Sequence, residues 1–281
     1  MSIQMIQDRL NTYHCQSPLE EEQALREMTQ EVILSALSRS DFFSQAGFHG
    51  GTCLRIFYGL NRFSEDLDFA LRRANESFSL ASYLKHIQSE LSAFGYQLEI
   101  QDRLQTSNAV QKAFLKDHSL GKVLELSHLK SDRSTKKIRI KLEVDTNPPE
   151  GAVIESKFLD FPFVSSISCH DPGSLFAGKL HALLCREYLK GRDWYDFIWY
   201  TSRRTSVNYT QLQSALNQQG PWKAQNLPVH HAWLLQRLQE KIRTTDFRQA
   251  AKDVQRFVRP NEQPSLELWC EELFLNQTEK I

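Results

Sequence analysis

The most regular pattern of hydrophobic and polar positions lies between residues 136 and 145. Aliphatic residues occupy every even position from 138 to 144, and charged residues occupy the positions between them. Side chains of a β-strand point alternately to its two faces, so this segment predicts a strand with one buried and one charged face. The charged face ends in Glu143 and Asp145, and the Asn-Pro-Pro sequence at 147–149 terminates the strand.

A second alternating segment begins at Asp66. Leu67, Phe69 and Leu71 would share one face of a strand, and the opposite face begins with Asp66 and Asp68. Two carboxylates therefore project from the same side of a predicted strand.

The region before this strand combines aromatic residues, a glycine pair and a short apolar repeat. Residues 41–48 predict a strand, Gly50-Gly51 a turn, and residues 52–58 a helix that ends at Gly59. A polar loop at 61–65 leads into the acidic strand. The expected local order is strand, glycine turn, helix, loop and acidic strand.

The pattern elsewhere predicts helices at both ends of the chain. Ser17 and Glu20 have capping-box spacing, and apolar residues recur at helical intervals over 18–38. Asp171-Pro172 opens a helix that continues to residue 189 and resumes near 192, with mainly helices from there to the end. The remaining predictions are a helix at 78–94, strands at 96–100 and 120–129, and an extended segment at 158–168.

These elements predict a mixed α/β (α+β) protein in three parts. A helical segment of residues 1–40 would pack on a core of residues 41–170, in which flanking helices cover a mixed sheet. Residues 171–281 would form a C-terminal helical domain.

Composition narrows the class of protein. Hydrophobic residues make up 41% of the chain, and 34 basic residues balance 34 acidic ones, so no overall charge attracts nucleic acid or an anionic membrane. The five cysteines include no CxxC pair, which argues against a disulfide framework or a zinc site. Without an apolar run of about 20 residues or a signal-peptide core, we expect a cytoplasmic protein with no membrane partner.

The acidic strands carry candidate metal ligands. Magnesium prefers hard oxygen ligands, and the two carboxylates of Asp66 and Asp68 provide them on one side of a strand. A third carboxylate from a neighbouring strand would complete the site. Asp145 is the first choice and Glu143, on the same face, is the competing one. Alone, such an acidic pair is more often a solvated turn.

The glycine turn suggests a phosphate site. Gly50 and Gly51 lack side-chain bulk, so their backbone N–H groups and the following helix N-terminus could approach phosphate oxygens, with Thr52 adding a hydroxyl. Arg62 and Ser64 in the next loop could reach a phosphate or could brace the loop.

Two sequence blocks resemble one family. FHGGTCLRIFYGLNRFSEDLDFAL at 48–71 and FAGKLHALLCREYLKGRDWYDFIWY at 176–200 are similar to the motifs of the AbiEii/AbiGii toxin nucleotidyltransferases. The resemblance implies a polymerase β-like nucleotidyltransferase core that uses magnesium, or manganese, and a nucleoside triphosphate. It also implies a toxin of a toxin–antitoxin or phage-defence pair, with a cognate antitoxin as partner and, by analogy, transfer RNA as acceptor.

The second block adds basic and acidic candidates. Lys179 and Arg186 are seven residues apart and would share a helix face that could bind triphosphate, although the spacing alone favours an ordinary solvated face. The resemblance favours an active-site role for Lys179. Asp193 and Asp196 could be catalytic or could pair with Arg192, itself a candidate nucleotide ligand, to fix the helix to the core.

Two other functions fit the same sequence. The nucleotidyl group could pass to a small molecule or a protein, since the balanced charge gives no nucleic-acid signature. The chain could also be a non-catalytic relative that binds an antitoxin or RNA, although its acidic residues are intact.

Overall fold

The computed structural model describes residues 2–102, 110–117 and 138–281. Within them a seven-stranded mixed sheet has the order β3-β4-β5-β2-β1-β7-β6. Strand β2 pairs with β5 and β1 pairs with β7 in parallel, whereas β1–β2, β3–β4 and β4–β5 are antiparallel. The strands are Ala46–His49 (β1), Asp66–Leu71 (β2), Leu98–Asp102 (β3), Val110–Asp117 (β4), Ile138–Asp145 (β5), Ile154–Leu159 (β6) and Ser165–His170 (β7).

The helices flank this sheet in sequence and dominate the C-terminal part. They are Ser2–Asn11 (α1), Pro18–Ser38 (α2), Phe42–Gln45 (α3), Gly50–Tyr58 (α4), Ala81–Ser92 (α5), Pro172–Cys185 (α6), Gly191–Ser202 (α7), Tyr209–Gln218 (α8), His231–Arg243 (α9), Phe247–Gln255 (α10) and Glu271–Thr278 (α11). A 3₁₀ helix, Gln263–Leu268, precedes the last one. The mixed α/β class predicted from the sequence is confirmed.

The contacts divide the chain into two compact units. The first unit combines Met1–Cys53, Phe63–Pro148 and Ser156–Cys169, and the second combines Leu54–Arg62, Pro149–Glu155 and His170–Ile281. Helix α2 forms a large part of the first unit's core, where it contacts α5 and β5. In the second unit, Trp194 and Phe197 on α7 pack against Phe274 on α11 with ring centroids 5.1 and 6.4 Å away.

Several predicted elements are confirmed close to their expected bounds. Helix α2 covers the predicted range, and the hydroxyl of Ser17 accepts the N–H of Glu20 at 3.2 Å as its cap. Gly59 ends α4 with φ +77°. Leu67 and Phe69 on β2 are at most 1% exposed, so the predicted apolar face is the buried one.

Other predictions were wrong in their bounds. Residues 41–48 do not form one strand, because Phe42–Gln45 make a helical turn and only Ala46–His49 are extended. Phe42 reaches the core from this turn, with its ring edge against Phe69 at 4.9 Å, so aromatic burial there does not require a strand. The helix predicted to reach residue 189 ends at Cys185, where Arg186 adopts an extended conformation.

Strand β4 has no counterpart in the predictions. Its own alternation is weak, but it is hydrogen-bonded to β3 on one side and β5 on the other, so sheet pairing stabilises it. The strand predicted at 120–129 lies outside the described residues, as do the first two residues of the 136–145 segment. None of the helices in the described part of the chain combines the length and the hydropathy needed to cross a membrane.

Candidate active site

The glycine turn lies at the junction of β1 and α4 in the first unit. Gly50 has φ +79°, a conformation that L residues with a side chain rarely adopt. A Cβ atom at this position would also overlap the Oδ2 atom of Asp68. Glycine is therefore required twice, for the backbone conformation and for the close approach of a carboxylate.

Thr52 ties the turn to the acidic strand. Its side chain is fully buried, and its hydroxyl donates a short hydrogen bond to the backbone oxygen of Asp66. The structure thus uses this hydroxyl to anchor α4 against the beginning of β2. The predicted contact of Thr52 with phosphate would require the same hydroxyl oxygen to make a second contact. The first backbone N–H groups of a helix lack intrahelical acceptors and therefore suit an anion.

Strand register sets which side chains surround the two aspartates. Asp68 is level with His49 on the antiparallel neighbour β1 and with Glu143 on the parallel neighbour β5. Asp66 is level with Lys141, and Asp145 is level with Ala70. Residues in register share a face of the sheet, so these charged side chains form a single acidic face.

Glu143 is closer than Asp145 to the aspartate pair along the sheet. Asp145 lies two residues beyond Glu143, which is about 6.6 Å along a strand. Its Oδ1 atom accepts the backbone N–H of Asn147 at 2.9 Å, and burial raises the pKa of its carboxyl group despite that bond and the nearby His49. Glu143, the alternative third ligand, is thus placed nearer to Asp66 and Asp68 than Asp145 is.

Two lysines accompany this acidic face. The ammonium of Lys112 lies 2.9 Å from Glu143, and that of Lys141 forms a second, shorter ion pair with the same carboxylate. Burial alone would raise the pKa of Glu143, but these hydrogen bonds lower it. Burial would lower the pKa of Lys141, and the charges of Glu143, Asp66 and Asp68 raise it instead. Carboxylates and lysines thus stabilise each other's charged forms on this face.

The donor set fits a hard divalent cation in its chemistry. Asp66 and Asp68 are half-buried and leave the same side of β2, with Glu143 on the adjacent strand. Within the described residues, however, no three acidic, histidine or cysteine side chains converge to metal-ligating distance. A third ligand would have to come from Glu143, now paired with lysine, or from Asp145.

The second unit contains a buried network of charges. Arg62 forms a bidentate pair with Asp196, with Nε–Oδ1 and Nη2–Oδ2 distances of 2.6 Å, and the two side chains are 2% and 0% exposed. Lys179 lies 2.7 Å from Asp193 and 2.8 Å from Asp196. Arg186 completes the network by pairing with the other oxygen of Asp193.

Burial alone would raise the pKa values of these two aspartates. The charges of Lys179 and Arg186 lower the pKa of Asp193, and those of Arg62 and Lys179 lower the pKa of Asp196. Both carboxylates therefore remain ionised, as buried charges do when they are paired and hydrogen-bonded.

This network brings together five residues that the sequence analysis proposed separately. Arg62 is fully engaged with Asp196, which corresponds to the bracing alternative considered for it. Arg186 does not share a face of α6 with Lys179, because it follows the helix; the two meet at Asp193 instead. Arg192 lies over the ring of Phe257 at 4.3 Å, and the backbone oxygen of Ser64 accepts a bond from Gln30 at 3.2 Å.

Gly191 explains how α7 holds its aspartates in place. A Cβ atom here would overlap the backbone oxygen of Ala250 on α10, and the Gly191 N–H donates to Asp253 at 2.7 Å. The start of α7 is thus fixed against α10, and Asp193 follows within its first turn.

Sequence reasoning missed the lysines at the acidic face. Lys141 stands on the charged face of the most regular strand and could have been named from that alternation. Lys112 belongs to β4, which was not predicted, so no local signal pointed to it.

Comparisons with known proteins give one family match and several structural neighbours. The family model "Nucleotidyl transferase AbiEii toxin, Type IV TA system" matches residues 32–271. Among solved structures, JHP933 from Helicobacter pylori is 17% identical with a TM-score of 0.51, and the match covers 92% of this chain and 94% of that one. MenT4, a nucleotidyltransferase toxin from Mycobacterium tuberculosis H37Rv, is 14% identical with a TM-score of 0.52, covering 98% and 99%. At such identities these structures support the fold. No curated protein matches significantly.

Proposed function

The chain belongs to the AbiEii family of nucleotidyl transferase toxins, and we propose that it transfers a nucleoside monophosphate from a nucleoside triphosphate to an RNA acceptor, with transfer RNA favoured. Family membership makes it a nucleotidyltransferase of a toxin–antitoxin system, so the reaction class rests on the match over residues 32–271. The observation that supports the site is the acidic face, where Asp68 stands beside Gly50 and level with Glu143, and Asp66 leaves the same side of β2.

We place the divalent cation on this face. Asp66 and Asp68 would hold it, and Glu143 is our choice for the third carboxylate because it is level with Asp68. Magnesium, or manganese, would supply charge neutralisation at the triphosphate and activation of the attacking hydroxyl. Hydrogen bonds from Lys141 and Lys112 lower the pKa of Glu143 and so favour its ionised form.

The protein's own part in the reaction is positioning. The absence of a side chain at Gly50 keeps Asp68 close to the start of α4, where backbone N–H groups would bind phosphate oxygens. Thr52 fixes this helix to the beginning of β2 through its bond to Asp66. A phosphate held there would lie close to the carboxylates, and such fixed donors cost no reorganisation during reaction.

For the second unit we propose that the charge network positions α7. Asp193 and Asp196 fix Lys179, Arg186 and Arg62 in defined orientations. The roles of Lys179, Asp193 and Asp196 in catalysis, and of Arg186 and Arg192 in nucleotide binding, remain predictions that the resemblance motivates. A cognate antitoxin is the expected protein partner.

The acceptor can be tested directly. Each labelled nucleoside triphosphate is incubated with the protein and total RNA, with magnesium or manganese, and label is measured in RNA and in protein. We expect metal-dependent label in RNA of transfer-RNA size. Label in protein or in small molecules would assign a different acceptor, and no label with either metal would contradict the proposed reaction.

The metal ligands can be tested in the same assay. Asp66→Ala should reduce transfer at least about 100-fold, because metal-held charge stabilisation is worth several kcal/mol. The exposed Asp160→Asn provides a matched control that should retain activity. Glu143→Gln and Asp145→Asn are compared side by side. A larger loss in Asp145→Asn would return the third-ligand role to Asp145.

A further inference from the structure

A cationic pocket lies within the second unit, next to the charge network. It has a volume of about 260 Å³ and is formed by the end of α6, the segment 186–190 and the end of α9. Arg186, Lys190 and Lys241 line it.

Lys190 lines this pocket and forms no direct ion pair among the described residues. Its side chain is half-buried, and in the part of the chain that the structure describes no carboxylate lies within ion-pair distance of its ammonium. Burial lowers its pKa; Asp193 partly opposes this, and Arg192, Arg186 and Lys179 add to it. A partly desolvated ammonium is costly unless an anion joins it.

Lys241 is the second cation of the pocket that lacks an acidic partner among the described residues. Its ammonium donates to the backbone oxygen of Arg186 at 3.1 Å, a contact that leaves its charge uncompensated. A lysine has three donors, so two remain for a ligand.

The acidic side chains around the pocket have other partners. Asp193 uses one oxygen for Lys179 at 2.7 Å and the other for Arg186. Asp246 caps α10 by accepting the N–H of Gln249 at 3.0 Å. Glu187 lies exposed at the rim. The positive charge of the two lysines is therefore available to a ligand.

An aromatic ring stands at the same opening. Tyr188 is 66% exposed, and the guanidinium of Arg186 lies 5.1 Å from its ring centroid. Exposed aromatic rings among cations are the usual means of binding single-stranded nucleic acid, where the base stacks and the phosphate pairs with charge. The pocket volume lies just below that of pockets that enclose whole small molecules. This size favours a nucleic-acid chain of which only one nucleotide enters the pocket.

We propose that this pocket binds one nucleotide of a single-stranded RNA, with its phosphate on Lys190 and Lys241 and a base against Tyr188. That this RNA is the acceptor rests on the proposed function. Binding itself does not depend on transfer, so the two can fail separately.

The test measures binding without catalysis. Affinity for a labelled single-stranded ten-nucleotide RNA is measured by fluorescence anisotropy at several salt concentrations, and affinity for nucleoside triphosphates is measured separately by calorimetry. Lys190→Gln and Lys241→Gln should each weaken RNA binding and reduce the slope of log Kd against log salt by about 0.7, the value for one lost phosphate contact with a single strand. Tyr188→Ala should weaken it about five-fold or more with little change in slope.

The exposed Lys223→Gln is the matched control and should change neither affinity nor slope. Thermal unfolding of each variant shows whether it folds, and the slope separates a lost phosphate contact from a general loss of structure. Unchanged RNA affinity and slope in both pocket lysine variants would overturn the proposal. So would a loss of triphosphate affinity with RNA binding intact, since the pocket would then serve the nucleotide.

Discussion

At the scale of single residues, Gly50 connects backbone conformation to chemistry. Its positive φ excludes most residues, and the space where a Cβ would stand is taken by the carboxylate of Asp68. Gly59, at the other end of α4, has nearly the same φ, +77°, but a Cβ there would meet nothing within 4 Å. The two glycines therefore separate the cost of conformation from the cost of displacing Asp68.

This pair gives the first prediction. Gly50→Ala should lose about 1–2 kcal/mol of unfolding free energy to backbone strain and most of its transferase activity, because Asp68 must move. Gly59→Ala should lose a similar free energy and keep its activity. Urea unfolding and the labelled-nucleotide assay measure the two effects. Equal activity losses in both variants would show that strain alone matters.

At the scale of elements, α7 depends on contacts at its first residue and on the charges of its next two turns. Gly191 lets the helix start touch the backbone of Ala250 on α10. Gly178, in contrast, lies on α6 in open space, where an added Cβ would have no neighbour within 4 Å. Both positions are helical, but only Gly191 is packed against the backbone of a neighbouring helix.

The second prediction compares these helical glycines. Gly191→Ala should destabilise the protein by about 1–3 kcal/mol, since the backbones of α7 and α10 must separate. Gly178→Ala should stabilise it by about 0.5–1 kcal/mol through helix propensity. Denaturant unfolding followed by circular dichroism measures both. A neutral or stabilising Gly191→Ala would mean that α7 tolerates displacement.

The third prediction concerns the partner that Asp196 provides to two buried cations. Asp196→Asn would remove the carboxylate that pairs with Arg62 and one of the two carboxylates that pair with Lys179. Breaking such buried pairs costs about 3–5 kcal/mol. Asp160→Asn, in an exposed position, should change the unfolding free energy by less than about 0.5 kcal/mol. If Asp196→Asn proved equally mild, the network would contribute little to stability.

At the scale of the whole molecule, the paired carboxylates set the dependence of stability on pH. The pKa values of Asp193, Asp196 and Glu143 are lower in the folded protein than their ordinary values. A carboxyl group of this kind stabilises the fold fully above its unfolded pKa, and the contribution is lost as pH falls through the folded pKa. The raised pKa of Asp145 acts in the opposite direction.

The fourth prediction follows from the direction of these pKa shifts. The free energy of unfolding should decrease slightly as pH falls below about 6.5, because burial lowers the pKa of His181 in the folded protein, and should fall more steeply below about pH 4, where the unfolded carboxylates begin to protonate. Asp193→Asn should reduce the steepness of the fall, because it removes one of the groups responsible. Urea titrations at fixed pH values measure both curves, and an unchanged steepness below about pH 4 in Asp193→Asn would contradict the role given to this carboxylate.

The sequence by itself determined the local order of elements and the reaction class. Alternation placed Leu67 and Phe69 inside and the two aspartates outside, because side-chain period depends only on neighbouring residues. Helix α2 and its Ser17 cap were equally local features. The family match over residues 32–271 bears out the reaction class that the two sequence blocks implied.

The tertiary structure decided what long-range pairing controls. Asp68 and Glu143 are neighbours only because β2 and β5 pair in one register, and a shift of two residues would have brought Asp145 there instead. Arg62 finds Asp196 across 134 residues of chain. No local pattern encodes such partners, since they depend on how distant segments pack and on which buried charges must be neutralised together.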